Sequence, residues 1–415
     1  MSLAAWTGDD ARPGVLMVTG AYFPEMSGSS LQCRALVREV RHDVRVAILT
    51  TTTDRRLPVE DTVDSVPVFR VFVDPNRASS KLMAAWRMAR ILLRERRWFS
   101  ILHLHGYSQK AVLLTVLARL TRARVAFKMT SAGYDDPASM KTRGRLAYWS
   151  YSRAHVFFGV SPRFQALYAA SGLPEHRFRL IPNGVDLERF RPATPDERRA
   201  LRLELGLPAE ALVVLFVGFF SHEKCPNLLF DAWMHMASGA VPPTVLVFVG
   251  RTRSAYYEVD TNLAIDIRDR AARAGLDGQV RFVEETQEIE KYHRSADLFV
   301  LPSLREGLPN ALLEAMACGT ACVATRLDGV TDTLIDDGDS GILVPPRDVP
   351  ALEAALVLLA SHPDRARAMG VRARERVACD FDMKSTAQAY IAAYRDVGRP
   401  SSIGSRPNPA KARVR

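Results

Sequence analysis

Residues Leu301 to Thr325 read LPSLREGLPNALLEAMACGTACVAT, the most informative part of the sequence. The apolar run Leu298 to Leu301 predicts a buried parallel strand, and a glycine-containing loop leads from it into a helix. Pro309 near the first turn of that helix and Gly319 just past its end occupy positions that these residue types favour. The stretch is therefore predicted to be a strand–loop–helix unit of an α/β protein.

Two carboxylates lie in this unit, Glu306 in the loop and Glu314 on the helix, eight residues apart. Ligands of parallel sheets bind at the carboxyl ends of the strands, where a helix start offers free N–H groups to a phosphate. The amides available here are those of Leu308, Asn310 and Ala311. The alternative is that Glu306 only favours the helix dipole and Glu314 is a surface residue. Against it, Glu314 stands among apolar residues, where an unpaired carboxylate is costly.

Short apolar runs alternate with helical patterns along the rest of the chain. Strands are predicted at 14–20, 44–51, 66–73, 101–105, 124–129 and 155–160, and again at 211–217, 245–249, 280–283, 298–301, 321–324 and 341–344. This rhythm is typical of βα units in mostly parallel sheets. The segment Arg191 to Glu197, RPATPDE, predicts a linker between two such regions. We therefore expect an α/β protein with two doubly wound, Rossmann-like domains in series.

The predicted boundaries follow from these patterns. Residues 1–14 form a polar leader that we expect to be disordered. The first domain spans 15–190 and the second spans 191–380. The tail 398–415 is rich in Pro, Ser and Gly, carries basic but no acidic residues, and is predicted to be disordered.

Composition excludes several classes of protein. The 415 residues are 47% apolar and 25% charged, which is typical of a folded, multidomain protein. The long apolar run Ala211 to Phe220 has ten residues, whereas a membrane span needs roughly 20. The first residues lack the apolar region of a signal peptide. Five scattered cysteines without CxxC spacing predict neither a disulfide framework nor a zinc site, so we expect a reduced, cytoplasmic protein.

The net charge of +10 is concentrated in Lys81 to Arg153, which holds 15 basic and 3 acidic residues. Lys81 to Phe99 predicts an amphipathic basic helix, whose apolar residues are Leu82, Trp86, Met88, Ile91, Leu92 and Phe99. A second patch combines Lys141, Arg143, Arg145 and Arg153 with Tyr148, Trp149 and Tyr151. Such patches are compatible with an anionic membrane surface. Ordinary solvated helix faces are the alternative for both.

The E-x7-E pattern inside REGLPNALLEAMACG resembles the signature of glycosyltransferase family 4, whose members are retaining enzymes of GT-B fold. Other segments resemble that family in the same order along the chain. They are Tyr22 to Gln32 (the first loop), Leu102 to Gly106 (the HxH strand end), Val160 to Pro192 (the crossing between domains), Leu215 to Lys224 (the phosphate loop) and Gly329 to Asp348 (the penultimate loop and strand). The similarity covers roughly residues 14–397.

The resemblance implies two domains that face each other across a cleft, with the acceptor in the first and a nucleotide-sugar in the second. The helices of about 381–397 would cross back onto the first domain. Glu306 would meet the hydroxyls of the donor sugar and Glu314 the ribose. Lys224, with Gly218 in the phosphate loop, would face the diphosphate. The amides near Gly28 could meet the donor phosphate or sugar, and His105 would line the cleft near the reacting centre.

Three positions depart from the family pattern. Phe219 follows Gly218 where the family usually has Arg, so one diphosphate cation is missing. Arg251 or Arg253 is the candidate substitute, and solvent exposure of both is the alternative. The first loop has Gly28-Ser29-Ser30 rather than Gly-Gly, and Thr130-Ser131 stands where many relatives have histidine.

Two other features bear on cofactors. Asp337-Gly338-Asp339 matches a DxD metal motif superficially, but it lies in DDGDSG before the predicted strand GILV and is typical of a turn. Lys224 and helix N–H groups would do the work of a divalent cation, so no metal and no other cofactor are expected. The chain contains neither GxxxxGK[ST] nor GxGxxG, which leaves ATPase and dinucleotide-binding functions unsupported.

The resemblance therefore implies a retaining, metal-independent glycosyltransferase that moves a sugar from a nucleoside-diphosphate-sugar, UDP- or GDP-linked, to a hydroxyl acceptor. His105, Glu306 and Lys224 would be its catalytic residues, with His103 the less favoured of the two strand-end histidines. A lipid-linked or phosphorylated acceptor in surface polysaccharide or glycolipid assembly fits the basic first domain, and no nucleic-acid partner is expected. A nucleotide-sugar epimerase of GT-B fold and a non-catalytic nucleotide-sugar-binding protein remain open as alternatives.

Overall fold

Two mainly parallel β-sheets, one in each half of the chain, organise the computed structural model of this protein. The structure describes residues 3, 12–25, 27–238, 243–253 and 259–398. Most of the expected leader and the tail beyond residue 398 lie outside the described residues. Leu3 is described, and it is buried, with its amide donating a hydrogen bond to Glu95 Oε2 at 3.0 Å.

The first half forms an eight-stranded sheet. Its strands are β1 (Gly14–Val18), β2 (Arg45–Thr52), β3 (Glu60–Val63), β4 (Val66–Phe72), β5 (Ile101–His105), β6 (Arg124–Met129), β7 (Val156–Gly159) and β8 (Phe178–Leu180). They are ordered β3-β4-β2-β1-β5-β6-β7-β8, and each pair is parallel except β3 with β4. Every residue of β1 and β5 is buried, because helices cover both faces of the sheet.

Among the described residues, six α-helices belong to this half. They are α1 (Gly28–Val40), α2 (Ala78–Arg94), α3 (Lys110–Leu120), α4 (Pro137–Thr142), α5 (Arg145–Ser152) and α6 (Pro162–Ala169). Ser27 caps α1, since its hydroxyl accepts from the Ser30 amide at 3.2 Å while the Ser30 hydroxyl accepts from the Ser27 amide. This cap fixes where the chain turns after β1 and where α1 begins.

The second half forms a six-stranded parallel sheet in the order β11-β10-β9-β12-β13-β14. Its strands are β9 (Leu212–Val217), β10 (Thr244–Val249), β11 (Val280–Val283), β12 (Leu298–Leu301), β13 (Ala321–Thr325) and β14 (Ile342–Val344). The helices are α7 (Pro195–Glu204), α8 (Pro226–Ala237), α9 (Thr261–Arg273), α10 (Ile289–Ser295), α11 (Asn310–Ala317), α12 (Val349–Ser361), α13 (Pro363–Asp380) and α14 (Met383–Gly398). The predicted α/β class with two doubly wound sheets is confirmed.

Two strands and one helix escaped the sequence prediction. Strand β3 has the polar sequence EDTV, and β8 has three partly exposed residues, so neither presents an apolar run. The linker prediction is wrong for its second half, because α7 starts at Pro195. Thr194 and Glu197 form a capping box there. The linker prediction relied on the proline content of this segment and did not take the capping box into account.

The basic helix predicted at Lys81 to Phe99 is instead α2, which begins at Ala78 and ends at Arg94. Its apolar residues also divide differently from the expectation. Met88, Ile91 and Leu92 face the core, and Phe99 beyond the helix is buried as well. Leu82 and Trp86 are exposed, together with Met83 and Leu93, which the prediction had not singled out. The exposed apolar face is therefore narrower than the sequence suggested.

The last helix, α14, leaves the second half and packs against α1 and β5 of the first. Its residues Tyr390 and Tyr394 are buried against the strand-end histidine His103. The hydroxyl of Tyr394 lies 2.7 Å from His103 Nδ1, a hydrogen bond between residues 291 positions apart. Burial lowers the pKa of His103 well below its usual range, so its ring is neutral.

We expect Tyr394→Phe to lower the free energy of unfolding by about 1–3 kcal/mol, because it leaves His103 Nδ1 buried without its partner. Urea unfolding followed by circular dichroism measures this. Tyr390→Phe is the matched control, since the buried Tyr390 hydroxyl has no hydrogen-bond partner among the described residues. The control should not lower the free energy of unfolding, because it removes a buried hydroxyl that has no hydrogen bond to lose. Equal losses in the two variants would contradict the assignment.

All five cysteines are described, and each has a free thiol. Cys379 is exposed, and the other four are buried. Within the described ranges, no helix combines the length and the apolar composition that crossing a membrane requires.

Candidate active site

A cavity of about 640 Å³ lies between the two sheets, where the carboxyl ends of their strands face each other. This volume is in the usual range for small-molecule sites. All ten predicted site residues line it: Gly28, His105, Gly218, Lys224, Arg251, Glu306, Leu308, Asn310, Ala311 and Glu314. The structure thus brings together residues that lie up to 286 positions apart in the sequence.

Lys224 and Glu306 form an ion pair inside the cavity, with Nζ 2.6 Å from Oε1. Lys224 comes from the loop before α8, where its amide bonds to the Ser221 carbonyl at 3.1 Å. Glu306 comes from the loop between β12 and α11, and its side chain is 9% exposed. A carboxylate this buried needs a counter-charge. The pair places a cation and an anion side by side, facing any ligand that fills the cavity.

The N-terminus of α11 opens directly into the same cavity. Its N-cap is Pro309, which makes no side-chain cap hydrogen bond. The first-turn amides of Asn310 and Ala311 therefore have no intrahelical partner and point out of the helix. Together with the dipole of the helix, they favour an anion at this point. Gly319 follows the helix with φ +71°, as the predicted helix stop requires.

A chain of hydrogen bonds joins the start of α11 to the first domain. Asn183 donates to the Leu308 carbonyl at 3.2 Å and to Asn310 Oδ1 at 2.9 Å. The side-chain amide of Asn310 in turn donates to the Gly28 carbonyl at 3.1 Å. Gly28 is the first residue of α1, so the starts of two helices meet across the cavity. The sequence contained Asn183 within PNGVD, but no bond to the helix start could be inferred from it.

Gly307 also holds the two domains close. A Cβ atom on this residue would lie 2.0 Å from the Thr130 carbonyl oxygen, so only glycine allows this approach. Thr130 and Ser131 line the cavity on the other side. Their loop is held by the buried carboxylate of Asp135, which accepts hydrogen bonds from the amides of both residues and from the Thr130 hydroxyl. Burial of Asp135 raises its pKa, and these donors counteract that effect.

His105 ends β5 and faces the cavity, and it is 6% exposed. Neither ring nitrogen has a hydrogen-bond partner among the described residues. Its ring centroid lies 4.3 Å from that of His103. Burial, with the neighbouring His103 and Lys128, lowers the pKa of His105 well below its usual range. His105 is therefore a neutral imidazole whose two ring nitrogens are buried without a partner among the described residues.

Glu314 lies beside a buried histidine at the edge of the cavity. One of its carboxylate oxygens lies 3.3 Å from Nε2 of His293, which is fully buried on α10. The Glu314 side chain is 16% exposed and borders the cavity. The position agrees with a role at the ligand rather than with the alternative of a solvated helix face.

Arg251, the candidate substitute for the missing phosphate-loop arginine, lines the cavity and pairs with Glu285 at 2.9 Å. It follows β10 and Gly250, whose absent side chain allows contact with the Gly218 backbone: a Cβ would lie 2.0 Å from the Gly218 carbonyl oxygen. Arg253 is exposed. The geometry therefore favours Arg251 of the two, although its guanidinium is shared with a carboxylate.

The DDGDSG segment forms a turn, as predicted. Gly338 has φ +80°, and Asp337 accepts from the Leu343 amide at 2.9 Å while pairing with Arg326. Asp339 pairs with Arg372. In the part of the chain that the structure describes, no group of three His, Cys, Asp or Glu residues is arranged to hold a metal ion. The expectation that no metal is required stays a prediction.

The charged cavity residues that sequence reasoning missed include Lys128, Arg305 and Glu223. Lys128 on β6 was read as part of a strand, although a lysine inside the apolar run RVAFKM was a signal. Arg305 and Glu223 form an ion pair at the cavity wall, in which Arg305 Nε lies 3.1 Å from Glu223 Oε2. These two residues are each adjacent to a predicted site residue, so only the folded structure shows that they meet.

Two glycosyltransferase family descriptions match the chain. "Glycosyl transferase 4-like domain" matches residues 27–184, and "Glycosyl transferases group 1" matches residues 197–376. The chain belongs to the GT4-type glycosyltransferases. The resemblance that was read from E-x7-E and its accompanying segments is confirmed.

Curated relatives of this GT4-type chain are named D-inositol 3-phosphate glycosyltransferases. One from Saccharomonospora viridis is 34% identical over 223 residues, covering 52% of this chain and 50% of the relative. One from Kribbella flavida is 27% identical over 378 residues, covering 85% and 86%. The chain spans about half the length of the first of these relatives.

Solved structures confirm the GT-B fold. Anabaena HepE in complex with UDP and glucose has a TM-score of 0.74 at 18% identity, covering 93% of this chain and 100% of that one. Sucrose-phosphate synthase from Thermosynechococcus elongatus has a TM-score of 0.75 at 21% identity, covering 93% and 99%. At this level of identity the likeness concerns the fold.

Proposed function

We propose that this protein is a retaining, metal-independent glycosyltransferase that uses a nucleoside-diphosphate-sugar donor. The observation that carries the proposal is the Lys224–Glu306 ion pair beside the open N-terminus of α11, in the cavity between the two domains. A cation and free amides suit a diphosphate, and a neighbouring carboxylate suits sugar hydroxyls.

The nucleotide-sugar donor would bind mainly to the second domain. Lys224 and the amides of Asn310 and Ala311 would hold the diphosphate, and Glu306 would accept hydrogen bonds from the sugar. Glu314, which lies 3.3 Å from His293 Nε2, would take the ribose hydroxyls. HepE was solved with UDP-glucose, and this supports UDP as the first nucleotide to test, with GDP as the alternative.

Transfer on one face of the sugar requires no protein base. The acceptor oxygen attacks the anomeric carbon as its bond to the diphosphate oxygen breaks, and that leaving oxygen takes the acceptor proton. The protein's part is to position the reactants and to stabilise the negative charge that grows on the diphosphate. A neutral His105 would donate a hydrogen bond to the ligand near this centre. The closeness of Gly307 to Thr130 fits a closed arrangement that excludes water.

The acceptor would occupy the wall formed by the first domain. The curated relatives are named for D-inositol 3-phosphate, and the first domain carries the excess of basic residues. Both support an acceptor that combines a hydroxyl with a negative charge, such as a phosphorylated polyol or a lipid-linked sugar phosphate. Assembly of surface polysaccharide or glycolipid is the setting that we propose.

A transfer assay tests this proposal. The protein is incubated in EDTA with UDP- and GDP-sugars, with and without D-inositol 3-phosphate, and the products are separated by mass spectrometry. We expect an acceptor-linked product with the donor's anomeric configuration and release of the nucleoside diphosphate. An epimerised donor without any acceptor would indicate the epimerase alternative. A donor that is bound but unchanged would indicate a binding protein, and either result would contradict the proposal.

We also propose that the first domain docks on an anionic membrane. Leu82 and Trp86 of α2 are 74% and 56% exposed, among the exposed basic residues Lys81, Arg87, Arg90, Arg96 and Arg97. Helix α3 packs against both α2 and α5, and it adds Leu120, which is 71% exposed. Large apolar side chains in a basic field suit the interface of anionic lipid.

Flotation with vesicles tests the docking surface. We expect retention on phosphatidylcholine vesicles that contain phosphatidylglycerol at low salt, and release at roughly 1 M salt, where screening shortens to about 3 Å. The double variant Leu82→Ser, Trp86→Ser should lose most of this retention. Leu203→Ser is the matched control, because Leu203 is 83% exposed on α7 of the other domain. No retention of the unmodified protein would refute the docking.

A further inference from the structure

Lys128 is a buried lysine in the middle of the first-domain sheet. It lies on β6, where the parallel register pairs it with His105 of β5. The residue is 3% exposed, yet it borders the cavity. Burying an ammonium group among apolar strands is costly unless a counter-charge meets it.

No carboxylate supplies that counter-charge among the described residues. The other first-domain cations that border the cavity are paired: Arg34 and Arg38 with Asp64, at 2.6 and 2.9 Å, and Arg189 with Glu290, at 2.7 Å. The side chain of Lys128 makes no ion pair or hydrogen bond in the described part of the chain, and its Nζ lies 5.6 Å from the ring centroid of Tyr390. The neighbouring thiol of Cys33 is neutral, because burial raises its pKa to about 12.

A second unpartnered group stands beside it. Both ring nitrogens of His105 lack a hydrogen-bond partner, and this residue too is more than nine-tenths buried and borders the cavity. A buried ammonium and a neutral imidazole that faces it across one strand register can each donate to the same acidic group. Buried polar groups without partners call for an explanation, and a missing ligand is one.

We propose that Lys128, with His105, forms a binding site for the negatively charged group of the acceptor, a phosphate or carboxylate. This inference rests on the proposed transferase function and names the class of its second substrate. The site lies on the first-domain wall, whereas Lys224 and the start of α11, which would hold the donor diphosphate, lie on the other domain. Lys128 would therefore give an acidic acceptor a higher affinity than a neutral one.

The ionisation of Lys128 provides a signature. Burial lowers its pKa to about 8. The groups that face it are Cys33 from α1, His103 and His105 from β5, and Tyr390 from α14, of which none is charged at neutral pH. A phosphate monoester loses its second proton near pH 6. Affinity for a phosphate should therefore be highest between about pH 6 and 8 and should fall above pH 8, as the ammonium loses its proton.

The test is a calorimetric titration of inorganic phosphate into protein whose donor site is saturated with its nucleotide. We expect Lys128→Met to weaken phosphate binding at least tenfold while nucleotide affinity changes less than twofold. Lys128→Arg should retain binding and lose the fall above pH 8. The control is Lys110→Met, because Lys110 is a partly buried lysine whose pKa is also lowered to about 8 but which bonds to the Thr19 carbonyl.

The results of this titration distinguish failure of the Lys128 site from failure of the proposed transferase function. Phosphate binding that is absent, or equal in the unmodified protein and Lys128→Met, overturns the site. An equal loss of nucleotide affinity in Lys128→Met also overturns it, because the cation would then serve the donor. If no nucleotide binds at all, the transferase proposal fails, and the same phosphate titration on nucleotide-free protein still decides the role of Lys128.

Discussion

Replacing Glu306 by glutamine will reduce sugar transfer at least about a hundredfold, the cost of losing an orienting contact at the reacting centre, while the affinity for the nucleoside diphosphate is kept or rises. In the structure the Glu306 carboxylate engages Lys224 at 2.6 Å. Removing its charge frees the ammonium for the diphosphate but takes away the group that orients the sugar. Reduced transfer together with kept or increased nucleotide affinity is therefore the result that identifies this role of Glu306. Calorimetry with UDP and a transfer assay measure the two quantities.

The matched control for this variant is Glu188→Gln. Glu188 pairs with Lys384 at 2.7 Å, so the change removes a carboxylate from an ion pair of the same length, at a site that is 81% exposed. In the control, both the affinity for UDP and the rate of sugar transfer should match those of the unmodified protein. Transfer by Glu306→Gln at the unmodified rate would remove Glu306 from the site.

The variant Lys224→Met will weaken nucleoside-diphosphate binding by about 1.5–3 kcal/mol, the worth of a charge-assisted contact. This corresponds to roughly a 10- to 150-fold rise in the dissociation constant. The change also leaves Glu306, 9% exposed, next to the bound diphosphate without a cation between them. Repulsion between this carboxylate and the negatively charged diphosphate adds to the loss of binding free energy.

Calorimetric titration of UDP into Lys224→Met and into Lys384→Met compares a cavity lysine with its surface counterpart. The surface variant should bind as the unmodified protein does. If Lys224→Met bound UDP with unchanged affinity, the diphosphate would be held elsewhere, and Arg251 would become the first residue to examine, since it also borders the cavity.

Much of the fold could be predicted because its strands are buried on both faces. The continuous apolar run Leu298 to Leu301 carries its own signal, and the strand bounds there and at Ile101 to His105 agree with the prediction. Edge strands such as β3 and β8 have a solvated face or few residues, so no run marks them. The start of α7 shows a different failure, because a proline and a capping box were read as a linker.

The candidate site was predicted in its parts but not in its pairings. Motif spacing located Lys224 and Glu306, which lie 82 positions apart, yet nothing in the sequence shows that they form one ion pair. Asn183 and its bonds to the start of α11 depend on the packing of two domains. Lys128 escaped notice because strand patterning treats a lone lysine as solvent-facing, whereas β6 is buried on both sides.

We expect the cavity between the domains to bind a nucleoside diphosphate without metal. Thermal unfolding in EDTA, with UDP, GDP, ADP and dTDP each in turn, tests this most directly. A ligand at about 100 times its dissociation constant adds about 2.7 kcal/mol of stability, which corresponds to a shift of several degrees. We predict that one nucleotide raises the melting temperature by that amount and that Lys224→Met abolishes the shift. No shift with any of the four nucleotides would contradict the account.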